Sequence, residues 1–284
     1  MVQYNMKISA IIVTYNPDVE RLSENIESIK KQVDFVILID NNSANFNCFS
    51  NLISNDNMFF IRMESNFGIA SALNHGIKKA KNLGCEYVIT LDQDSVASDS
   101  MVNGLVEASK LNDDTSMIGP TINDYNTEIQ EHKQGIELAP FLITSGALAK
   151  VDDLISVGLF DERLFIDCVD FDLNLRLISS GFMVYRTNDV YLNHEIGRKE
   201  QKKLFCRKFY ILNHSDFRVY HMARNRIFLM LKYRNVQCYP LFEDIKHFVS
   251  RTLGMLIFES DKGKKFLATV KGIRDGFTLY SSQK

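Results

Sequence analysis

The 284-residue sequence contains no uninterrupted run of about 18 apolar residues, the length that a membrane-spanning helix requires. The apolar run from Ile8 to Val13 is too short for the core of a signal peptide. It leads into Thr-Tyr-Asn-Pro, where a signal peptide would have a cleavage site of small residues. We therefore expect neither a transmembrane segment nor a signal peptide.

Cysteine and proline are both scarce. The five cysteines are scattered and form no C-x-x-C pair, a pattern typical of reduced thiols in a cytosolic protein and not of a disulfide framework or a zinc site. With four prolines, 45% hydrophobic and 24% charged residues, the composition is that of a globular protein. The length allows one large domain, or one domain with an appendage.

The first part of the chain alternates buried strands with amphipathic helices. Apolar runs predict strands over residues 7–13, 34–39, 58–62 and 87–91, and apolar residues at helical spacing predict helices after the first and third of these. This βαβαβαβ order predicts a mostly parallel sheet covered by helices. A further strand is predicted over residues 141–149, interrupted by Ser145 and Gly146, where small residues form either a bulge or a close approach to a ligand.

Each of the four strands ends in short polar residues, at the edge where open α/β sheets bind ligands. These ends are Thr14-Tyr15-Asn16, Asp40-Asn41-Asn42, Ser65-Asn66 and Asp92-Gln93-Asp94. The sequence has neither G-x-G-x-x-G after the first strand nor G-x-x-x-x-G-K-[ST], so another group must neutralise nucleotide phosphates. A magnesium or manganese ion held by Asp92 and Asp94 would do so, although Asp and Ser are also ordinary turn residues.

A second acidic cluster begins a helix near residues 167–170. Val169, Leu173 and Leu177 form an apolar stripe. In the structural interpretation, Asp167 caps the helix and the early acids complement the helix dipole. Asp172 and Arg176 are four residues apart and are expected to form a structural ion pair.

The two ends of the chain carry opposite charge. Residues 1–197 have 14 Lys and Arg against 28 Asp and Glu, whereas residues 198–284 have 19 against 7. Two helices, over residues 217–233 and 241–258, are predicted in the basic part. They either pack on the core with a solvated basic side or also meet an anionic membrane surface. Nucleic acid is not expected, because no nucleic-acid-binding signature accompanies the charge.

Taken in order, these motifs resemble the inverting, GT-A-folded family 2 glycosyltransferases, and most of all their rhamnosyltransferase branch. The residues that carry the resemblance are Val13 to Asn16, Asp40 to Ser43, Asn66 to Ala70 with Ala72, Asn74 and Gly76, Asp92 to Ser95, Thr144 to Ala147, Asp167 to Asp172, and Tyr220, Arg224 and Asn225. The resemblance implies a GT-A catalytic domain over residues 1–200, followed by a basic helical region over residues 201–284 that is packed on the core and, in the second interpretation of its charge, also in contact with a membrane.

For the donor, the resemblance implies a nucleotide pocket made by residues from all four strand ends. Thr14, Tyr15 and Asn16 would line it, and Asp40 would accept a hydrogen bond from the base. Asn66 and Gly68 would close over the nucleotide. Asp92, Gln93 and Asp94 would bind the nucleotide-sugar, with Asp92, Asp94 and His194 as metal ligands. Without the family pattern, Asp40 and Asn66 would be assigned to turns.

For the reaction, the family's Glu-Asp pair falls on Val169-Asp170, so that Asp170 inherits the role of general base and Asp167 a supporting or alternative one. Ser145 and Gly146 would lie on the acceptor side, and Arg224 would contact donor diphosphate or lipid phosphate.

The implied activity is transfer of a sugar, L-rhamnose from dTDP-L-rhamnose, with Mg²⁺ or Mn²⁺. The implied acceptor is a lipid-linked oligosaccharide of a bacterial surface polysaccharide, O-antigen or capsule, at the cytoplasmic face of the plasma membrane. Two alternatives stay open: a UDP-sugar donor, used by a hexosyl- or galactofuranosyltransferase, and a non-catalytic nucleotide-sugar-binding module that docks on membranes.

Overall fold

The computed structural model describes residues 6–52, 57–123, 134–193, 200–204 and 207–283. The chain forms two compact units. The first comprises Met1–Phe165 and Val169–Glu195, and the second comprises Ile166–Cys168 and Ile196–Lys284. In the described part of the chain, no helix combines the length and the apolar character needed to cross a bilayer.

The first unit is built on one mixed sheet. Its described strands are β1 Ile8–Thr14, β2 Phe35–Asp40, β3 Met58–Arg62, β4 Tyr87–Asp92, β5 Val96–Ala97, β6 Thr115–Asn123, β7 Ile136–Leu138, β8 Leu148–Lys150 and β9 Met183–Asn193. Its helices are α1 Val19–Ile29, α2 Ile69–Asn82, α3 Met101–Ser109, α4 Val151–Ser156 and α5 Val169–Ser179. The four strands predicted in the amino-terminal part are confirmed to within a residue at each end.

The strand order is β3-β2-β1-β4-β8-β6-β9-β5, and β7 pairs with β9. The strands from β1 to β4 pair in parallel, whereas β8 runs antiparallel to both β4 and β6. The continuous apolar sequences of β1 and β2 follow from this position, since a central parallel strand is buried on both faces. The strand predicted over residues 141–149 is wrong for most of its length, because strand geometry is limited to Leu148–Lys150 and a single bridge between Thr90 and Ser145.

The second unit consists of a hairpin and three helices in its described residues. These elements are β10 Glu200–Leu204, β11 Arg207–Ile211, α6 Asp216–Tyr233, α7 Leu241–Phe258 and α8 Lys262–Ser281. The two helices predicted there, now α6 and α7, are confirmed. Helix α8 packs closely along α6, because Gly272 and Gly276 let the helices approach: a Cβ at either glycine would lie 2.6 Å from a carbonyl oxygen of α6.

Candidate active site

The carboxyl ends of three neighbouring strands meet at one edge of the sheet. Thr14 at the end of β1 pairs in register with Asp40 at the end of β2, and Val13 pairs with Asp92 at the end of β4. A hydrogen bond joins the two loops that follow β1 and β4, since the backbone N–H of Tyr15 donates to Gln93 Oε1 at 2.9 Å. The sheet therefore brings together the polar strand ends of β1, β2 and β4.

Asp40 is fully buried at this edge. The backbone N–H of Ser43 donates to both of its carboxylate oxygens at 3.2 and 3.1 Å, and the Thr14 hydroxyl donates to Oδ1 at 3.3 Å. The Arg62 guanidinium lies 3.5 Å from Oδ2. In this structure the Asp40 side chain organises the loop after β2 and presents no surface to a ligand.

The loop after β3 is closed by amide side chains. Asn41 Nδ2 donates to Asn66 Oδ1 at 2.8 Å, and the same oxygen accepts from the backbone N–H of Gly68 at 3.0 Å, which is an Asx turn. Gly68 has φ +88°, and a Cβ there would lie 2.5 Å from the carbonyl oxygen of Phe165. Asn66 is half-buried and Tyr15 is about half exposed, so both present polar atoms at the surface of this edge.

The Asp92-Gln93-Asp94 turn is braced from two sides. From α1, the buried Asn25 donates from Nδ2 to the carbonyl oxygen of Asp92 at 2.6 Å, and Arg21 Nε donates to the carbonyl oxygen of Asp94 at 3.1 Å. From the other side, the backbone N–H of Asp92 donates to Ser145 Oγ at 3.1 Å. These bonds hold the backbone of the turn, and both carboxylates remain half-buried.

The Asp92-Gln93-Asp94 turn, which we call the acidic turn, opens onto a surface cavity of about 450 Å³. The cavity is lined by Asp18, Glu20, Arg21, Glu24, Gln93 and Asp94. Two half-buried carboxylates two residues apart are hard oxygen donors, and this donor set fits Mg²⁺ or Mn²⁺ in a site where substrate oxygens supply further ligands. In the described residues, no group of three or more His, Cys, Asp and Glu side chains could hold a metal without such help. The predicted ligand His194 lies outside the described residues.

Ser145 and Gly146 lie beside the turn. The Ser145 hydroxyl is buried and also bonds Ser95 Oγ at 2.8 Å. Gly146 has φ +81° and donates from its N–H to the carbonyl oxygen of Thr90 at 2.6 Å. Both residues therefore support β4 and the acidic turn directly.

The helix that carries Asp170 begins at Val169. Asp170 lies in its first turn and is half-buried, and the backbone N–H of Phe171 donates to its Oδ1 at 2.9 Å. The predicted pair of Asp172 with Arg176 is confirmed at 2.8 Å between Oδ2 and Nε. Of the two acids in this helix turn, Asp170 is therefore partly exposed, whereas Asp172 is fully buried.

Helix α5 begins at Val169, so that Cys168 directly precedes it, and the Asp167 side chain contacts α6 within the second unit. Arg218 donates to its two carboxylate oxygens from Nη2 at 3.2 Å and from Nε at 3.3 Å. Asn225 Nδ2 donates to the carbonyl oxygens of Ile166 and Asp167 at 2.7 and 2.9 Å. Arg224, predicted to meet phosphate, donates from Nε to Asn225 Oδ1 at 2.9 Å.

Two histidines that interact electrostatically with Asp167 have lowered pKa values. Burial, followed by the positive charges of Arg218 and Arg251, lowers the pKa of His214 to about 4. Burial, followed by the charge of Arg224, lowers the pKa of His221 to about 4 as well. Both imidazoles are therefore neutral at physiological pH.

Two residues of the site were missed by sequence reasoning, Arg21 and Asn25. A signal was present for Asn25, because it is a polar residue on the buried face of α1, beside Leu22, Ile26 and Ile29. A polar side chain at such a position must find a hydrogen-bond partner. Arg21 is a surface residue in sequence terms, and its bond to the Asp94 carbonyl oxygen depends on a contact between residues 73 positions apart.

Comparison with known proteins decides the family. The model of Glycosyl transferase family 2 matches residues 9–162, which is more than half of the chain. The chain belongs to glycosyl transferase family 2. It is therefore a glycosyltransferase, and the alternative of a non-catalytic module is set aside.

The dTDP-rhamnosyl transferase RfbF of Shigella flexneri is 32% identical to this chain over 294 aligned residues, covering 95% of this chain and 96% of the relative. This similarity confirms the predicted rhamnosyltransferase branch of the family. The galactofuranosyltransferase GlfT1 of Mycobacterium tuberculosis is 25% identical, covering 70% of this chain and 73% of the relative.

Solved structures confirm the GT-A fold. Residues 1–349 of TarS from Staphylococcus aureus align with a TM-score of 0.64 at 16% identity, covering 95% of this chain and 81% of that one. The mannosyltransferase PcManGT from Pyrobaculum calidifontis, solved with GDP-Man and Mn²⁺, aligns with a TM-score of 0.61 at 13% identity, covering 99% and 80%. Both likenesses concern the fold.

Proposed function

We propose that this family 2 enzyme transfers L-rhamnose from dTDP-L-rhamnose, with inversion, to a lipid-linked oligosaccharide of a bacterial surface polysaccharide. The observation that carries the donor assignment is the 32% identity to a dTDP-rhamnosyl transferase over almost the whole of both chains. The convergence of the strand ends of β1, β2 and β4 supports a nucleotide site at that edge. The acceptor would be reached at the cytoplasmic face of the plasma membrane, where the protein would be peripheral.

In this proposal the donor lies along the edge formed by Tyr15, Asn66 and the acidic turn. Exposed polar atoms of Tyr15 and Asn66 would contact the nucleotide, with Thr14, Asn16, Asp40 and Gly68 shaping the loops behind it. Asp92 and Asp94 would hold a divalent cation, with His194 as a further ligand, and this cation would neutralise the diphosphate of the donor when bound. Gln93 would fix the turn through its bond with Tyr15.

Asp170 is the proposed general base. It would take the proton from the acceptor hydroxyl while the oxygen attacks the anomeric carbon and dTDP departs from the opposite face, which inverts the configuration. Asp167 is assigned the supporting role, because Arg218 holds both of its carboxylate oxygens. Ser145 and Gly146 would border the acceptor side of the site. Arg224 would contact a phosphate group of the donor or of the lipid. Residues 1–200 would form the catalytic domain and residues 201–284 the region that docks on the membrane.

The direct test is a donor panel. With Mn²⁺ and a lipid-linked oligosaccharide acceptor that takes up the sugar, the purified enzyme is expected to release dTDP from dTDP-L-rhamnose and little UDP from UDP-hexoses. Asp94→Ala is expected to abolish turnover with an unchanged circular dichroism spectrum, and Asp152→Ala, an exposed acid on α4, is a matched control that keeps it. Full turnover by Asp94→Ala would refute the metal assignment.

A second donor is favoured by one observation, the 25% identity to a galactofuranosyltransferase. If the panel gives faster turnover with a UDP-sugar than with dTDP-L-rhamnose, this alternative replaces the first.

A further inference from the structure

Helix α7 leaves most of its apolar side chains in solvent. Of its 18 residues, the buried ones are Asp244, Gly254 and Met255. Five large hydrophobic residues are instead between 42% and 86% exposed: Phe242, Ile245, Val249, Leu253 and Ile257. Their spacing of three or four residues places them on one side of the helix. We call these five residues the apolar stripe of α7.

Helix α8 repeats the arrangement. Phe266, Leu267, Val270 and Phe277 are between 48% and 68% exposed, while Lys265, Thr269, Gly272 and Gly276 are the buried residues of the same helix. Exposed apolar side chains grouped on one side of a helix in this way indicate an interaction site.

The polar residues of these two helices give the surface a positive charge. Lys246, Arg251, Lys262, Lys264, Lys271 and Arg274 are all exposed. Two of the acids are buried in ion pairs, Asp244 with Arg226 and Glu259 with Lys265. Glu243 and Asp261 are the exposed acids over residues 241–281, against six exposed Lys and Arg. Glu243 pairs with Lys246 and Asp275 with Arg274, and the exposed surface keeps a net positive charge.

We propose that the apolar stripe of α7, together with the exposed apolar residues of α8, docks on an anionic phospholipid bilayer. An amphipathic helix with apolar residues on one face and basic residues beside them lies in the plane of such a surface, with its apolar side chains among the acyl chains and its cations at the headgroups. A second copy of the chain fits less well, because a twofold contact places like charges opposite one another. The inference rests on the proposed function only in that a lipid-linked acceptor makes docking useful.

The experiment is co-sedimentation of the full chain with mixed phosphatidylglycerol–phosphatidylcholine vesicles. The triple variant Phe242→Ser, Val249→Ser, Leu253→Ser is expected to lower the partition coefficient about 100-fold, since three partly inserted side chains are lost. The matched control Leu111→Ser, Leu138→Ser, Ile155→Ser removes apolar residues of similar exposure from the first unit and is expected to bind like the wild type. The charge variant Lys262→Gln, Lys264→Gln is expected to bind about 30-fold more weakly, in a salt-sensitive way.

Unchanged sedimentation of the stripe variant would overturn the proposal. So would a wild-type dimer in light scattering that the stripe variant abolishes while neither protein binds vesicles. Release of dTDP with a water-soluble acceptor separates this outcome from failure of the proposed function. If the enzyme binds vesicles but does not use dTDP-L-rhamnose, the proposed function is refuted, whereas the assignment of the membrane-docking surface is retained.

A separate observation concerns Asn225 on α6. Its side chain is fully buried. Its Nδ2 donates to the carbonyl oxygens of residues 166 and 167, and its Oδ1 accepts a hydrogen bond from Arg224. Asp167 and Cys168 have φ values of +64° and +63°, a conformation that side-chain-bearing residues adopt only when other contacts hold it. Asp170 follows this loop after one intervening residue.

We infer that Asn225 is a positioning residue that fixes the 166–168 loop, the segment to which Val169 and Asp170 are covalently joined. Asn225→Asp keeps the size but replaces the donating NH₂ group with an oxygen that repels both carbonyls. We expect kcat to fall about 100-fold with the donor KM nearly unchanged. Asn225→Ser, which is smaller and keeps one donor, provides a second measurement if the first variant does not fold. Exposed Asn235→Asp is the control.

A kcat that is unchanged in folded Asn225→Asp or Asn225→Ser would overturn this inference, as would kcat and donor KM changing together. The proposed function is tested separately by Asp170→Asn. If that variant is inactive while the Asn225 variants retain full activity, the base assignment stands and the positioning role falls.

Discussion

The two units of this glycosyltransferase are stabilised in different ways. In the first unit, β1 and β2 are buried along almost their whole length, and a continuous apolar core lies against the helices. In the second unit, α7 contributes few buried residues, and charged side chains are buried instead: Lys265 is 3% exposed and Glu259 is 8% exposed. Both partners of the Glu259–Lys265 pair in the second unit are buried, whereas the buried acids of the first unit, Asp40 and Asp172, pair with arginines that reach solvent.

This difference determines how each unit responds to change. Hydrophobic burial is insensitive to pH, whereas a buried ion pair loses its compensation when either partner is neutralised. Substitutions that alter apolar packing should therefore lower the stability of the first unit most. Protonation or removal of one charge should lower the stability of the second unit most. Four experiments, from the largest expected effect to the smallest, test this contrast.

Asp170→Asn should have the largest effect, confined to the chemistry of the first unit. Loss of a general base is expected to lower kcat about 1,000-fold while donor binding is retained. Steady-state kinetics together with calorimetric titration of dTDP-L-rhamnose measure the two quantities. Asp167→Asn, which breaks a contact within the second unit, should lower kcat less; a larger loss in that variant would transfer the base role to Asp167.

Glu259→Gln should destabilise the second unit selectively. Glu259 Oε2 lies 2.7 Å from Lys265 Nζ, and its Oε1 accepts from the backbone N–H groups of Leu212 and Asn213. Removing one charge of a buried pair leaves the other uncompensated, at a cost of about 3–5 kcal/mol. Hydrogen exchange resolved by unit measures the loss.

The matched control is Glu243→Gln, which breaks the exposed pair with Lys246 and should cost less than about 1 kcal/mol. Equal effects of the two substitutions would contradict the proposed dependence on buried charge.

The wild-type protein offers a pH test of Glu259. Burial raises the pKa of Glu259, but the bonds from Lys265, Leu212 and Asn213 outweigh it and lower the pKa overall. The stability that Glu259 contributes is therefore present above about pH 4.3, its unfolded pKa, and is lost as pH falls through the folded pKa.

Gly68→Ala should destabilise the first unit by about 2–3 kcal/mol, through overpacking and an unfavourable φ. A Cβ at Gly68 would meet the backbone of Phe165 at 2.5 Å, whereas one at Gly84, also at positive φ, would have nothing within 4 Å. Gly84→Ala should therefore cost only about 1 kcal/mol, the penalty for φ alone. Chemical denaturation of both variants gives the difference, and equal costs would show that the Phe165 contact relaxes.

The smallest effect near neutral pH should be a pH dependence of the second unit caused by His214 and His221, which grows as the pH decreases. The folded pKa values of about 4 lie below the ordinary value of 6.5, so that the unfolded chain binds more protons between these pH values. Stability should therefore fall as pH decreases from about 6.5 towards about 4. Hydrogen exchange of wild type and of the His214→Asn, His221→Asn double variant checks this, and parallel pH curves would exclude the two imidazoles as the cause.

The sequence was informative where structure follows from local pattern. The strands from β1 to β4 are continuous apolar runs with polar ends, so both their positions and the edge they share were predictable. The role of Ser145 was not, because its hydroxyl bonds the backbone of Asp92, 53 positions away. Likewise β8 has only three residues, and its place between β4 and β6 depends on strands far from it in the chain.

Helix α8 illustrates a second reason for failure. Gly263, Gly272 and Gly276 weaken the helical pattern over residues 262–281, and no helix was predicted there. In the structure, Gly272 and Gly276 are required at the contact with α6, because any side chain would meet α6 carbonyl oxygens. A residue that is unfavourable locally is thus favourable in the tertiary contact.

The bonds from Arg218 and Asn225 to the 166–167 backbone and to Asp167 have a consequence for synthesis of the protein. Asp167 leaves the ribosome 51 residues before Arg218, so that a growing chain contains the whole sheet and Asp170 before the side chains that hold this loop exist. A domain that folds during translation would therefore complete its sheet first and acquire an ordered 166–168 loop last. If Asn225 has the inferred positioning role, nascent chains that stop before α6 should bind nucleotide without transferring sugar.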